Sequence, residues 1–170
     1  MRIFLVGPMG AGKSTVGREL ARQLGCAFID TDAEIERRTG ADIPWIFEIE
    51  GEQGFRDREA QVVQDTCDTS DAVIATGGGA ILRQENRDCM RDNGFVVYLA
   101  ATVKEQVRRT GKEGARPLLA GKNRAEVLTE LMAIREPLYR DVAHLELPTR
   151  GSNARQLAEK IAESVERYTH

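Results

Sequence analysis

A glycine-rich segment near the start of the chain ends in a basic and a hydroxyl side chain. Residues 7–14 read GPMGAGKS and match the pattern G-x-x-x-x-G-K-[ST] at every fixed position. Glycines there let backbone N–H groups turn toward phosphate oxygens, Lys13 brings a positive charge to the β- and γ-phosphates, and the Ser14 hydroxyl can bind Mg²⁺. The pattern predicts nucleoside triphosphate binding through residues Gly10, Ala11, Gly12, Lys13, Ser14 and Thr15.

Two acidic residues follow the second apolar run of the chain. Asp30 and Asp32 flank a threonine directly after Phe28-Ile29, and the carboxyl end of a parallel strand is where α/β sheets bind their ligands. A carboxylate there can orient an acceptor hydroxyl and take up its proton, hold Mg²⁺ through water, or cap the following helix. We assign the acceptor role to Asp32 and leave the role of Asp30 open.

Three consecutive glycines follow the third apolar run, in the segment VIATGGG at residues 73–79. A GTPase or a motor usually has an acidic residue at such a strand end to hold Mg²⁺, whereas glycines offer only backbone N–H groups to a ligand oxygen. The segment favours a kinase over a nucleotide switch, although a flexible glycine loop would have the same sequence.

Two arginines lie in polar, helix-like stretches, Arg56 in GFRDRE and Arg135 in REPLY. The planar guanidinium binds a carboxylate through two parallel hydrogen bonds, which lysine cannot reproduce. The spacing alone nevertheless favours a solvent-exposed ion pair for each arginine.

Short apolar runs alternate with helical patterns along the whole chain. Their unbroken character predicts fully buried parallel strands in a sheet with helices on both faces. The runs are residues 3–6, 27–29, 72–75, 96–99 and 144–147. The prediction of full burial leaves out the last two residues of the final run. Apolar residues every four positions predict a first and a last helix, at Val16, Leu20 and Leu24 and at Leu157, Ile161 and Val165. Thr102 and Glu105 have the spacing of a capping box.

Two segments interrupt this alternation. Residues 40–55 contain a proline, a tryptophan and a polar turn at 50–54, after which a helix runs to about Cys67. Residues 110–122 read TGKEGARPLLAGK and are too polar and glycine-rich for a core helix. In a nucleotide-binding domain a basic loop of this kind predicts a lid, and an ordinary surface connection remains the alternative.

Length and charge limit the class of protein. A chain of 170 residues fits one domain, which we place at 1–170. The net charge of −3 indicates no nucleic-acid or membrane partner. The three cysteines are far apart, which predicts free thiols in a reducing cytoplasm rather than a disulfide. No exposed apolar stripe calls for a second subunit, so we expect a monomer that binds small molecules.

Together these segments resemble shikimate kinases. GPMGAGKST, DTD, GEQGFRDRE, TGGGA, RPLL and REPLY occur in the order of that family, from Ile3 to about Tyr139. The resemblance implies a three-layer α/β P-loop kinase fold, with a five-stranded parallel sheet in the order 2-3-1-4-5, flanking helices, a lid loop at about 110–122 and a substrate-binding segment at about 32–60. It also implies transfer of the γ-phosphoryl group of MgATP to the 3-hydroxyl of shikimate, in the route to chorismate and the aromatic amino acids.

The resemblance also implies roles for acceptor-side residues. Asp32 would hold ring hydroxyls and orient or deprotonate the 3-hydroxyl. Arg56 and Arg135 would clamp the substrate carboxylate, Gly78 would offer its backbone to a substrate hydroxyl, and Glu59 would position Arg56.

Further residues are implied on the ATP side. Arg116 would move with the lid onto the ATP phosphates, and Arg109 would lie near the adenine. Lys13, Asp32 and Arg116 are therefore the expected catalytic residues, with Ser14 as the Mg²⁺ ligand. Residues 149–153, where the family contacts the base, have no distinctive side-chain pattern, and we name no adenine ligand there.

Two alternatives remain open at this point. A kinase for another acceptor, such as gluconate, quinate or a nucleoside monophosphate, would share the P-loop and the arginines. A P-loop switch that controls a partner protein would share the P-loop alone.

Overall fold

A five-stranded parallel sheet forms the centre of the molecule. The computed structural model describes residues 1–111 and 123–170, and its strands pair in the order β2-β3-β1-β4-β5. Each neighbouring pair is parallel, so the predicted sheet order is confirmed. The strands are β1 Arg2–Val6, β2 Ala27–Asp30, β3 Ala72–Ala75, β4 Phe95–Ala100 and β5 Leu145–Pro148.

Helices cover both faces of the sheet, as predicted. They are α1 Lys13–Leu24, α2 Thr31–Thr39, α3 Ile43–Cys67, α4 Gln84–Asn93, α5 Val103–Thr110, α6 Arg124–Val142 and α7 Ala154–Thr169, with a 3₁₀ turn at Ala80–Leu82. Side chains alternate along β1: Ile3 and Leu5 pack against α1 and α7. Phe4 and Val6 pack on the other face, against α3, α4 and α6. This alternation places one apolar cluster on each side of the sheet.

The expectation of fully buried strands is wrong at the two edges of the sheet. In β2, Ala27 is exposed and the other residues are half-buried. In β5, half-buried Leu145 and Leu147 alternate with exposed Glu146 and Pro148. An edge strand lies at the margin of the helical layers, so its side chains are covered less completely than those of β1, β3 and β4.

The caps and helical stripes agree largely with the sequence patterns. Thr102 and Glu105 form the predicted capping box of α5. The apolar stripe of α7 is buried, but that of α1 ends at Ala21 and leaves Leu24 41% exposed.

Helix α3 bends at the turn predicted for residues 50–54. Gly51 has φ 73° and ψ −179°, a backbone conformation that favours glycine. The chain therefore continues as helix on both sides of a kink. The second half of α3 packs on the sheet through Val63 and Cys67. Arg56 and Glu59, in the same half, are both buried.

The expectation of three free thiols is wrong for two cysteines. Cys67 at the end of α3 and Cys89 on α4 form a disulfide with a Cα–Cα distance of 6.3 Å, and Cys26 is free. The packing of α3 against α4 brings together residues that are 22 positions apart. Within residues 1–111 and 123–170, no helix has the length and apolar character needed to cross a membrane.

Candidate active site

The glycine-rich segment joins β1 to α1, as predicted, and leaves the helix start open. Gly10 and Gly12 have φ values of 76° and 86°, in the left-handed region. Gly12 is the N-cap and supplies no side chain to the first turn. The backbone N–H groups that begin α1 at Lys13 can therefore bind an anion.

Lys13 and Ser14 are oriented by contacts within the site. The Lys13 ammonium donates hydrogen bonds to the carbonyl oxygens of Gly7 and Pro8, both at 2.8 Å. The Ser14 hydroxyl donates to a carboxylate oxygen of Asp30 at 2.5 Å. Both side chains border a cavity between the P-loop and the carboxyl ends of β2 and β3.

Asp30 has two functions in this structure. Its Oδ1 accepts a hydrogen bond from the backbone N–H of Ala33 at 3.1 Å and so caps α2. Its Oδ2 lies beside the Ser14 hydroxyl. This pair of hard oxygen donors fits Mg²⁺, which binds few protein ligands and completes its shell with water and phosphate oxygens. In the described part of the chain no group of three or more acidic, histidine or cysteine side chains offers a metal site.

One cavity unites the phosphate side and the acceptor side. It lies between the P-loop and the carboxyl ends of β2 and β3, where Asp32, Gly77 and Gly78 face the nucleotide segment. The lining residues are Met9, Gly10, Gly12, Lys13, Ser14, Thr15, Asp30, Asp32, Thr76, Gly77 and Gly78. Ala11, in contrast, is buried in the core behind the loop.

The three glycines after β3 are covered by polar side chains. A Cβ atom on Gly77 would lie 2.8 Å from Asp32 Oδ1 and 2.9 Å from Glu59 Oε2. A Cβ atom on Gly79 would lie 2.4–2.5 Å from three guanidinium atoms of Arg56. A side chain at either position would therefore displace the end of Asp32, Glu59 or Arg56, because these side chains lie directly on the backbone. Close packing explains the segment better than a flexible loop does.

Arg56 and Arg135 are buried, so the solvent-exposed ion pairs favoured by their spacing are wrong. Their exposed fractions are 8% and 4%. Arg56 donates to Glu59 Oε1 at 2.9 Å and lies 3.5 Å from Glu52, whose side chain is 54% exposed. Within residues 1–111 and 123–170, no carboxylate lies at ion-pair distance from Arg135.

The electrostatics of this cluster favour an anionic ligand. Burial lowers the pKa of the Arg135 guanidinium, and the nearby charge of Arg56 acts in the same direction. Burial raises the pKa of the Glu59 carboxyl, while Arg56 opposes that change. Of the two buried guanidinium groups, only that of Arg56 forms an ion pair with the buried Glu59 carboxylate. A bound carboxylate would restore the balance of charge.

Two further arginines, Arg109 and Arg116, were expected on the nucleotide side. Arg109 on α5 donates from Nη1 to the Gly10 carbonyl oxygen at 2.8 Å and to the Thr149 hydroxyl at 3.2 Å. It therefore connects the P-loop to the residue that follows β5. Arg116 and most of the expected lid lie outside the described residues.

Sequence reasoning missed two hydroxyl groups that hold the glycine turn. Thr31 Oγ1 accepts a hydrogen bond from the Gly77 N–H at 3.2 Å. The Tyr139 hydroxyl donates to the Gly78 carbonyl oxygen at 2.5 Å. Thr31 separates the two acidic residues, and Tyr139 follows Arg135 by one helical turn. Their positions within DTD and REPLY were the available signals.

Comparisons with known proteins agree with this geometry. The profile of the shikimate kinase family matches residues 9–166. A shikimate kinase of Thioalkalivibrio sulfidiphilus is 52% identical over 160 residues, which cover 94% of this chain and 84% of that protein. One from Halorhodospira halophila is 53% identical over 165 residues, which cover 97% of this chain and 93% of that protein.

A solved structure extends the similarity to three dimensions. Shikimate kinase from Acinetobacter baumannii in complex with shikimate is 51% identical and superposes with a TM-score of 0.95, covering 98% of this chain and 93% of that chain. Sequence and fold therefore agree over nearly the whole length. The chain belongs to the shikimate kinase family.

Proposed function

We propose that this protein transfers the γ-phosphoryl group of ATP to the 3-hydroxyl of shikimate, giving shikimate 3-phosphate and ADP. The observation that carries the proposal is the pair of buried arginines, Arg56 and Arg135, beside the cavity that also contains the P-loop. The family assignment supports it, as does the similarity to a structure that contains shikimate.

On the acceptor side, each group has a role that follows from its chemistry. The guanidinium groups of Arg56 and Arg135 bind the substrate carboxylate, and Glu59 holds Arg56 in place through its hydrogen bond at 2.9 Å. Asp32 binds ring hydroxyls and orients the 3-hydroxyl toward the γ-phosphate. The Gly78 backbone N–H donates to a substrate hydroxyl.

On the nucleotide side, the backbone from Gly10 to Thr15 and the ammonium group of Lys13 bind the phosphates. Ser14, together with Asp30, holds Mg²⁺. When bound, Mg²⁺ neutralises negative charge on the β- and γ-phosphates. Arg109, which contacts the P-loop, borders the nucleotide near its base.

Catalysis in this proposal rests on position and charge. Phosphoryl transfer passes through a loose transition state, so the protein contributes mainly alignment and stabilisation of the charge that develops. Lys13 and Arg116 supply positive charge, and Asp32 aligns the nucleophile. We propose that residues 110–122 form a lid whose closure excludes water and limits hydrolysis of ATP.

Organisation and location complete the proposal. Residues 1–170 act as one kinase domain, in which residues 32–60 form the substrate-binding segment. The enzyme works as a cytoplasmic monomer on small molecules. Light scattering coupled to size exclusion tests the oligomeric state, and a mass near twice the 18.8 kDa of the chain would refute the monomer.

A coupled assay of ADP release distinguishes the alternatives. Purified protein with ATP and Mg²⁺ is tested separately with shikimate, quinate, gluconate and AMP. ADP formation that depends on shikimate supports the proposal. Preference for another acceptor would reassign the substrate, and hydrolysis that is independent of any acceptor would indicate a nucleotide switch. The absence of a carboxylate in the turn after β3 weighs against the switch.

A further inference from the structure

Tyr139 lies where two substrate-facing groups meet. It is completely buried on α6, one helical turn after Arg135 and on the same face of the helix. Its hydroxyl donates to the Gly78 carbonyl oxygen at 2.5 Å. The guanidinium group of Arg135 borders the same glycine, since a Cβ atom on Gly78 would lie 3.4 Å from its Nη1. The tyrosine hydroxyl therefore holds the backbone at the point where it meets a side-chain component of the acceptor site.

A neighbouring tyrosine shows that packing alone does not explain this contact. The rings of Tyr98 and Tyr139 stack with a centroid distance of 5.1 Å and an interplanar angle of 22°. Tyr98 is equally buried, but its hydroxyl donates to Glu136 at 3.2 Å, and that carboxylate is 35% exposed. The two rings fill the same apolar cluster. Of these two tyrosines, Tyr139 is the one whose hydroxyl is directed at the glycine turn.

The turn depends on such anchors because consecutive glycines restrain their backbone poorly. The Thr31 hydroxyl holds the Gly77 N–H on one side, and the Tyr139 hydroxyl holds the Gly78 carbonyl on the other. A Cβ atom on Gly78 would lie 3.4 Å from Arg135 Nη1, so backbone and guanidinium are neighbours. Rotation of the unanchored peptide would therefore disturb both.

We propose that Tyr139 is a positioning residue for the acid substrate, whose hydroxyl holds the Gly78 backbone in place beside the Arg135 guanidinium. The proposal rests on the assigned roles of Gly78 and Arg135 in shikimate binding. Because the groups that Tyr139 positions are those assigned to shikimate, we expect its effects to fall mainly on the acceptor.

The test compares Tyr139→Phe with Tyr98→Phe in the full-length protein. Each change removes one hydroxyl from one of two stacked, buried rings. We expect Tyr139→Phe to raise the Michaelis constant for shikimate by up to about tenfold, the upper range for the loss of one neutral hydrogen bond. The Michaelis constant for ATP should change by less than about twofold. Tyr98→Phe should leave both constants near wild type even if it lowers the melting temperature.

Two further measurements separate positioning from a general loss of structure. The double variant Tyr139→Phe/Arg135→Lys should raise the Michaelis constant for shikimate by less than the product of the factors of the two single variants. The reason is that both changes disturb the same part of the acceptor site. Replacing Tyr139 with 4-aminophenylalanine keeps a donor for the Gly78 carbonyl and should restore most of the shikimate affinity.

The outcomes distinguish this inference from the proposed function. If the wild-type protein forms no ADP in response to shikimate, both are refuted. If the wild type is active and Tyr139→Phe leaves the shikimate constant unchanged, or weakens shikimate and ATP equally, the inference alone is refuted. Independent effects of Tyr139→Phe and Arg135→Lys would also overturn it.

Discussion

Replacement of Gly79 by alanine tests whether buried side chains shape the glycine turn. The new Cβ atom would lie 2.4 Å from Nη2 and 2.5 Å from Cζ of Arg56. Non-bonded heavy atoms approach favourably only to about 3.5 Å, so the guanidinium has to move by roughly 1 Å. Arg56 is 8% exposed and is held by Glu59 at 2.9 Å, so we expect this movement to disturb that hydrogen bond.

The expected result is a specific loss of acid binding. A hydrogen bond to a charged group contributes about 1.5–3 kcal/mol, and each 1.4 kcal/mol is a factor of ten in affinity. Gly79→Ala should therefore raise the Michaelis constant for shikimate by roughly 10- to 150-fold. Overpacking should also lower the free energy of unfolding by about 1–3 kcal/mol. Steady-state kinetics and denaturant unfolding measure the two effects separately.

Gly94 offers a matched control away from the site. A Cβ atom there would lie 2.7 Å from the Arg2 carbonyl oxygen and from the ring of Phe4. Gly94→Ala should therefore cost stability without changing the Michaelis constant for shikimate. In an Arg56→Ala background, Gly79→Ala should add little further loss of affinity. An undiminished effect in that background would refute the explanation through Arg56.

Three other perturbations test separate parts of the structure. Lys13→Ala should lower kcat by roughly 10²-fold or more, as expected for a lost charge at the transferring phosphate; turnover near wild type would contradict its catalytic role. Arg135→Lys should raise the Michaelis constant for shikimate by about tenfold, because lysine lacks the planar fork; an unchanged constant would leave Arg135 only a structural role. Burial lowers the pKa of His144, whose Nδ1 accepts from the Val96 N–H at 3.0 Å. Since the unfolded state then binds protons more readily, stability should be full above about pH 6.5 and should fall as the pH decreases below that value. Melting temperatures from pH 5 to 8 test this, and His144→Gln should weaken the dependence.

Local patterns were sufficient to predict much of the fold and the nucleotide half of the site. The glycine spacing at 7–14 determines a turn between strand and helix, and α1 begins within that segment, at Lys13. Apolar runs located every strand, because the central strands are apolar along their length and the half-buried edge strands β2 and β5 still contain apolar residues. Asp32 and Gly78 line one cavity because the carboxyl ends of parallel strands meet at one edge.

The features that sequence reasoning missed depend on contacts between distant segments. Tyr139 is 61 positions away from Gly78. Arg56 meets Gly79 from the second half of α3, beyond the kink at Gly51. A charged residue in a polar helix is normally solvated, and only the packed structure reveals that Arg56 is buried. For the same reason the pairing of cysteines on two packed helices had no signal in their spacing.

The glycine turn organises the acceptor side because it has no side chains of its own. Asp32 reaches it from α2, Glu59 and Arg56 reach it from α3, and Tyr139 reaches it from α6. The relative positions of these groups are therefore determined by how three helices pack around one stretch of backbone. A side chain at Gly77 or Gly79 would push at least one functional group out of place. Variation in the P-loop should mainly alter nucleotide binding and turnover, whereas variation in the turn or in its three helices should alter which acid is accepted.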